Sequence, residues 1–146
     1  MGAWNIPAGL DSWEQVSAQI ESELRENFCP RETVTSIIVA ADEIFANISA
    51  YAYGGGNGTV EVESRTVPLE HGRYEYSLTF CDSGIRFNPL DAPKYEKGSL
   101  ARQKYKSGSL GGFGIHIVRE KADRLSYEYE DGKNVLCFVK FYDSEL

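Results

Sequence analysis

The sequence predicts an α+β fold, a two-layer sandwich in which helices cover one face of a β-sheet. Two early stretches repeat apolar residues at helical spacing, and four later stretches alternate apolar and polar residues as half-buried strands do. The chain has 146 residues and is 42% hydrophobic, which suits one compact core. We therefore expect residues 1–146 to form a single domain.

Two helices are predicted in the first third of the chain. Asp11 and Glu14 resemble a capping box for the first helix, which ends near Pro30. The second helix is predicted to begin near Thr33 and to end at the glycines of residues 54–56. Its buried face is predicted from a wide apolar stripe: Val34, Ile37, Ile38, Ala41, Ile44, Phe45 and Ile48.

The rest of the chain is predicted to be strands with one further helix. Residues 4–10 are expected to be extended, and Asp131-Gly132 favours the turn of a terminal hairpin. The third helix is predicted at 113–122. Four strands are predicted at 59–67, 73–81, 125–129 and 135–142.

Composition excludes several classes of protein. The formal net charge is −7, whereas general nucleic-acid binders carry a basic face, so we expect no direct nucleic-acid contact. No apolar stretch approaches the roughly 18 residues that span a bilayer, and the first ten residues do not resemble a signal peptide. Cys29, Cys81 and Cys137 are predicted to be small buried side chains. We expect a cytoplasmic protein without membrane contact.

Residues 89–110 form a basic segment inside this acidic chain. Five basic residues against two acidic ones leave a local balance of +3. The segment lacks periodicity, and a loop of this length in a compact domain is usually functional or disordered. A solvated mobile loop is the alternative interpretation. The basic residues are Lys94, Lys97, Arg102, Lys104 and Lys106.

A carboxylate and a carboxamide on the second helix form the first of three polar patches. Glu43 and Asn47 are four residues apart, so they project from the same face of the helix. An amide oxygen is a suitable ligand for Mg²⁺, and a nearby carboxylate can act as a base toward a hydroxyl or water. For this pair alone, a solvated polar edge of the helix is the alternative.

The second patch ends a predicted buried strand. Asp82 is followed by Gly84, which we expect to supply the positive φ of a tight turn, and Phe87 is expected to pack under that turn. A carboxylate here can accept a hydrogen bond from the exocyclic amine of adenine. Guanine carries a carbonyl at the same position, which is itself an acceptor and cannot donate that bond. An Asx turn without a ligand is the alternative.

The third patch consists of glycines at the start of the third helix. Gly111, Gly112 and Gly114 would let phosphate oxygens approach the backbone and the free N–H groups of the helix N-terminus. The spacing matches neither a Walker A loop nor the dinucleotide-binding glycine pattern. A hinge without a ligand is the alternative, and His116 is expected on the outer helix face.

In their order, the three patches resemble the motifs of a known family. Residues 41–48 resemble the N box, residues 81–89 the G1 box and residues 111–118 the G2 box of GHKL ATPases, which have the Bergerat, histidine kinase-like fold. The compact length and the Asp-x-Gly-x-x-Phe-Asn-Pro form are most similar to the anti-sigma factor serine/threonine kinase branch. The resemblance spans nearly the whole chain and implies a mixed sheet covered by helices on one face.

The resemblance also implies roles for individual residues. Asn47 would coordinate Mg²⁺, and Glu43 would orient or deprotonate the attacking hydroxyl. Asp82 would bind the adenine amine of ATP, with Gly84 keeping room for the base. Residues 89–110 would be the ATP lid. Further ATP-binding residues would be Phe87, Lys104, Lys106, Gly111, Gly112 and Gly114.

The function implied by the resemblance is that of an ATP-dependent serine/threonine protein kinase. Such kinases phosphorylate a STAS-domain anti-anti-sigma protein, regulate a sigma factor by partner switching and form homodimers. A non-catalytic ATP-gated binding module of the same fold is the alternative. The catalytic domain of a histidine kinase is less favoured, because no helical dimerisation segment with a phospho-accepting histidine is evident beside His71 and His116.

Overall fold

The computed structural model describes residues 1–53, 57–91 and 113–146. It confirms the α+β prediction, and each predicted helix and strand is present with its ends within four residues of the predicted ones. The helices are α1 (Leu10–Glu26), α2 (Arg31–Tyr51) and α3 (Phe113–Lys121). The strands are β1 (Gly2–Pro7), β2 (Thr59–Pro68), β3 (Arg73–Asp82), β4 (Arg124–Glu130) and β5 (Lys133–Asp143), and short 3-10 turns lie at Glu70–Gly72 and Pro89–Asp91.

The described strands form one sheet in the order β1-β2-β3-β5-β4. Each pairing among them is antiparallel, so the mixed sheet implied by the family resemblance is wrong for this part of the chain. The reason is the terminal hairpin: α3 lies on the connection from β3 to β4, but β5 is inserted between these two strands. The hairpin turns at Asp131 (φ 53°) and Gly132 (φ 76°), as predicted.

The helices cover one face of the sheet and bury a continuous apolar core. Trp13 of α1 stacks on Phe45 of α2 with ring centroids 4.7 Å apart, and its indole N–H donates to Asp42 at 2.7 Å. These contacts fix α2 against α1 and thereby help to position Glu43 and Asn47. The strands contribute alternate buried side chains: Val60, Val62, Tyr76, Leu78, Phe80, Leu136 and Phe138.

The start of α1 differs from the prediction. The helix begins at Leu10 with Gly9 as its N-cap residue and without a side-chain cap, so Asp11 and Glu14 form no capping box. The Ser12 hydroxyl instead lies 2.9 Å from the carbonyl oxygens of both Pro7 and Gly9, which share its single donor hydrogen. The chain turns directly from β1 into the helix, and this turn uses serine where the sequence pattern had indicated aspartate.

No apolar stretch long enough to span a bilayer was expected, and this expectation is wrong for α2. The helix is long and apolar enough to cross a membrane by length and composition alone. Its best window has a mean hydropathy of 1.3. The apolar face of this helix is nevertheless buried in the protein core, where Ile37, Ile44 and Phe45 are almost completely covered. Burial against the sheet and α1 therefore accounts for its apolar composition.

Candidate functional site

A pocket lies between the C-terminal half of α2, the end of β3 and the β4–β5 hairpin. Its empty space, counted together with the solvent at its open mouth, is about 440 Å³. Three predicted site residues line it together: Asn47, Asp82 and Phe87. The remaining lining residues are Ile44, Ile48, Tyr51, Ala52, Phe80, Ile85, Pro89, Tyr127, Asn134 and Leu136.

Asp82 is the acidic group of this pocket. It is 6% exposed, and its Oδ1 accepts hydrogen bonds from the backbone N–H of Gly84 and from Nδ2 of Asn134, both at 2.9 Å. The bond from Gly84 is an Asx turn, the alternative that the sequence left open. The turn and a ligand-binding role are compatible, because the same carboxylate also lines the pocket.

Gly84 is required for a reason that the sequence did not indicate. Its φ is not positive, so the predicted left-handed turn is wrong. A Cβ at this position would lie 2.0 Å from the carbonyl oxygen of Ala52 and 2.7 Å from the Ala52 Cβ. The next residue, Ile85, donates its N–H to that same carbonyl at 2.8 Å. Glycine therefore allows the loop after β3 to pack directly on the C-terminal end of α2.

Asn47 is buried in the pocket wall at 6% exposure. Within the described part of the chain, neither its Oδ1 nor its Nδ2 has a hydrogen-bond partner. Burying an unpaired amide costs free energy, and native proteins rarely leave both atoms of such a group unpaired. A polar ligand or a hydrated cation beside Asn47 would remove this cost.

Glu43 lies one turn before Asn47 on α2, but it faces a neighbouring groove. The groove lies between α1 and α2 and is also lined by Trp13, Asp42 and Ala46. The Oε2 atom of Glu43 is buried and has no hydrogen-bond partner among the described residues. Burial raises the pKa of this carboxyl, and the nearby charge of Asp42 raises it further.

Substitution of Glu43 by glutamine is expected to stabilise the folded protein at neutral pH. Because the folded-state pKa of Glu43 is raised above its unfolded value, folding disfavours the ionised carboxylate. This penalty is absent in acid, where the carboxyl is protonated in both states, and it develops as the pH rises toward the raised pKa. Urea denaturation should therefore show a gain for Glu43→Gln at neutral pH that disappears in acid. An equal gain at both pH values would contradict this account.

Aromatic side chains form one wall of the pocket. The rings of Tyr51 and Phe87 stack with centroids 5.8 Å apart and an interplanar angle of 29°. Phe87 remains partly exposed, so its ring lies at the mouth and not beneath the turn as the sequence had suggested. Flat apolar surfaces of this kind suit a planar heterocycle.

Part of the predicted site lies outside the described residues. Lys104, Lys106, Gly111 and Gly112 belong to it, as do residues 92–110 of the predicted lid. Gly114 is the second residue of α3, so a helix begins at the third patch as predicted. The imidazole of His116 is half exposed and lies 3.3 Å from Glu120, which confirms its position on the outer helix face.

Sequence reasoning missed two polar residues of the hairpin. Asn134 is buried opposite Asp82 in the β3–β5 register, and Tyr127 donates its hydroxyl hydrogen to Oδ1 of Asn134. A polar residue at the start of the last strand was the available signal. Its meaning depended on the pairing register, which local patterns do not determine.

Comparison with known proteins identifies the family. The profile of the histidine kinase-like ATPase domain matches residues 6–140, which is most of the chain. The chain belongs to this family. The family predicted from the three polar patches is thereby confirmed, and Asn47 and Asp82, which belong to the first and second of these patches, line the same pocket.

Individual relatives agree with this assignment. The chain is 29% identical over 116 residues to the serine/threonine-protein kinase BtrW of Bordetella bronchiseptica, which covers 80% of this chain and 75% of that protein. A chain of the SiaB-SiaC complex from Pseudomonas aeruginosa aligns with a TM-score of 0.54 and 16% identity, covering 97% of this chain and 90% of that one. The RsbU and RsbW domains of Rv1364c from Mycobacterium tuberculosis align with a TM-score of 0.56 and 13% identity, covering 99% and 34%. The two structural matches establish the shared fold.

Proposed function

We propose that this protein is an ATP-dependent serine/threonine protein kinase that phosphorylates a serine of a partner protein. One observation carries the proposal: Asn47 is buried and unpartnered among the described residues, in the same pocket as Asp82 and one helical turn from Glu43. Phosphoryl transfer from ATP needs three parts. They are a hydrogen-bond acceptor for the adenine, a ligand near the phosphates and a carboxylate near the attacking hydroxyl. Family membership and the similarity to BtrW support this function.

In this proposal, different residues bind the adenine and the phosphates of ATP. Asp82 accepts a hydrogen bond from the 6-amino group of adenine. The stacked rings of Tyr51 and Phe87 provide an apolar wall for the adenine ring. Residues 89–110 act as the lid, with Lys104 and Lys106 toward the phosphates. Gly111, Gly112 and Gly114 let the backbone approach the same phosphates.

The chemistry toward the phosphates rests on α2. Asn47 fits Mg²⁺, since its amide oxygen is a hard ligand without a partner in the described structure. Mg²⁺, when bound, would offset negative charge on the phosphate oxygens. Glu43 takes the proton of the serine hydroxyl. The serine oxygen then forms a bond to the γ-phosphorus, and the bond from that phosphorus to the β–γ bridging oxygen breaks, which releases ADP.

The partner in this proposal is a STAS-domain anti-anti-sigma protein. The kinase also binds a sigma factor, acts as a cytoplasmic homodimer, and exchanges these partners according to their phosphorylation. The neighbouring structures support a protein partner, because one is a complex of SiaB with SiaC and the other holds an RsbU domain beside an RsbW domain. Phosphate transfer distinguishes this proposal from the alternative function, a non-catalytic module that binds a regulator when ATP is bound but does not phosphorylate it.

The experiment that tests the proposal is transfer of label from γ-labelled ATP, with Mg²⁺, to the STAS protein encoded nearest to this chain. ATP binding is measured on the same preparation. Label on a serine of the STAS protein supports the kinase. Tight ATP binding without transfer to this or other STAS proteins supports the non-catalytic module, and no ATP binding contradicts both.

A further inference from the structure

The start of β5 carries a buried amide to which the proposed reaction assigns no role. Asn134 is 6% exposed, and its Nδ2 donates to Oδ1 of Asp82 at 2.9 Å and to the carbonyl oxygen of Ile85 at 2.8 Å. Its Oδ1 accepts the N–H of Phe87 at 3.1 Å and the hydroxyl of Tyr127. The two donor hydrogens and two acceptor sites of the amide are therefore all used.

These bonds determine which oxygen of Asp82 faces a ligand. The N–H of Gly84 and the Nδ2 of Asn134 both donate to Oδ1. Among the described residues, no hydrogen bond reaches Oδ2. Because two donors already occupy Oδ1, Oδ2 is the oxygen that can accept a hydrogen from a bound molecule.

The surroundings of Asn134 permit only one orientation of its amide. If the side-chain amide were reversed, its Nδ2 would face the N–H of Phe87, and its Oδ1 would face Oδ1 of Asp82. A donor would then face a donor, and an acceptor would face an acceptor. The same side chain holds the backbone of Phe87, whose ring stacks on Tyr51. One amide thus positions both the acceptor and an aromatic wall of the pocket.

We propose that Asn134 is a positioning residue that sets the base selectivity of the pocket. It presents Oδ2 of Asp82 to the 6-amino group of adenine and holds Phe87 beside the ring. This inference rests on the proposed function, because it requires adenine to bind in the pocket. Purines without the 6-amino group leave the buried acceptor unpaired, and purines with a 6-carbonyl place a second acceptor against it.

The test compares binding of ATP with binding of purine riboside triphosphate, which lacks only the 6-amino group. Calorimetric titration of the full chain is expected to show a preference of about 10-fold or more for ATP, typical of a hydrogen bond to a charged group. Asn134→Ala should reduce this preference to within about threefold. Asn27→Ala is the matched control. It removes an amide that donates to the Glu23 carbonyl at the end of α1, so the preference should remain.

Asn134→Asp tests the same inference with a side chain of nearly equal size, in case the alanine variant does not fold. It replaces the donor Nδ2 with a carboxylate oxygen that faces Oδ1 of Asp82, and the preference for ATP should be lost.

Three outcomes separate this inference from the proposed function. If both variants bind the two nucleotides with equally reduced affinity and so keep the wild-type preference, Asn134 is merely structural and the inference is overturned. If the wild type binds both nucleotides equally well, the inference is also overturned while nucleotide binding stands. If the wild type binds neither nucleotide, the proposed function itself is contradicted.

Discussion

Replacement of Glu43 by glutamine is expected to lower phosphate transfer to the partner serine by at least about 100-fold, the usual contribution of a general base. Glutamine has nearly the same size but cannot take the hydroxyl proton. Affinity for ATP should stay within about threefold of the wild type, because Glu43 lies in the groove beside α1 and does not line the pocket around Asp82. Label transfer and ATP titration on the same preparation measure both effects.

The matched control for this variant is Glu14→Gln. Glu14 is an exposed residue of α1 that lines the same groove. The control therefore removes the same charge but leaves every residue of α2 unchanged. Transfer by the control should remain within about threefold of the wild type, as expected for an exposed surface charge. Undiminished transfer by Glu43→Gln would show that Glu43 is not the base. Loss of ATP binding together with transfer would assign it a structural role.

Gly84→Ala is expected to destabilise the protein by about 2–3 kcal/mol and to weaken ATP binding by at least about 10-fold. The added methyl group would lie 2.0 Å from the carbonyl oxygen of Ala52, and the obstacle is backbone at the end of α2, which cannot rotate away. The loop must therefore move, which breaks the hydrogen bond from Ile85 to Ala52 and displaces the Asx turn of Asp82.

Gly9→Ala is the control for the glycine substitution. Gly9 is the N-cap residue of α1, and a Cβ there would meet nothing within 4 Å. The control should lose less than about 1 kcal/mol and keep its affinity for ATP. Urea denaturation and ATP titration of the two variants make the comparison. Wild-type stability and wild-type ATP binding in Gly84→Ala would contradict the close packing of the loop on α2.

Local sequence patterns were sufficient for much of this fold. Periodicity located α2 because its apolar stripe is continuous, and alternation located β3 because every second side chain enters the core. The same patterns placed Asn47 on a helix and Asp82 at a strand end, and the structure brings these two into one pocket. Each of these features depends on residues close together in the chain.

The errors concern features that depend on distant residues. Gly84 was explained by a local turn, whereas its neighbour is Ala52, 32 positions earlier in the chain. Asn134 was missed because its role depends on a register that pairs it with Asp82. Glu43 and Asn47 share a helix face, but α1 packs beside that face and leaves them in adjoining cavities. Such contacts follow from tertiary packing, which helix and strand periodicity does not describe.

Titration of ATP into the wild-type protein and into Asp82→Asn is the most direct test of the central claim, that the pocket between α2 and the end of β3 binds the adenine of ATP. We expect one bound ATP per chain in the wild type. In Asp82→Asn the affinity should fall by about 10- to 100-fold, because the acceptor of the adenine amine loses its charge. A wild type that does not bind ATP, or an Asp82→Asn variant that binds it equally well, would contradict this claim.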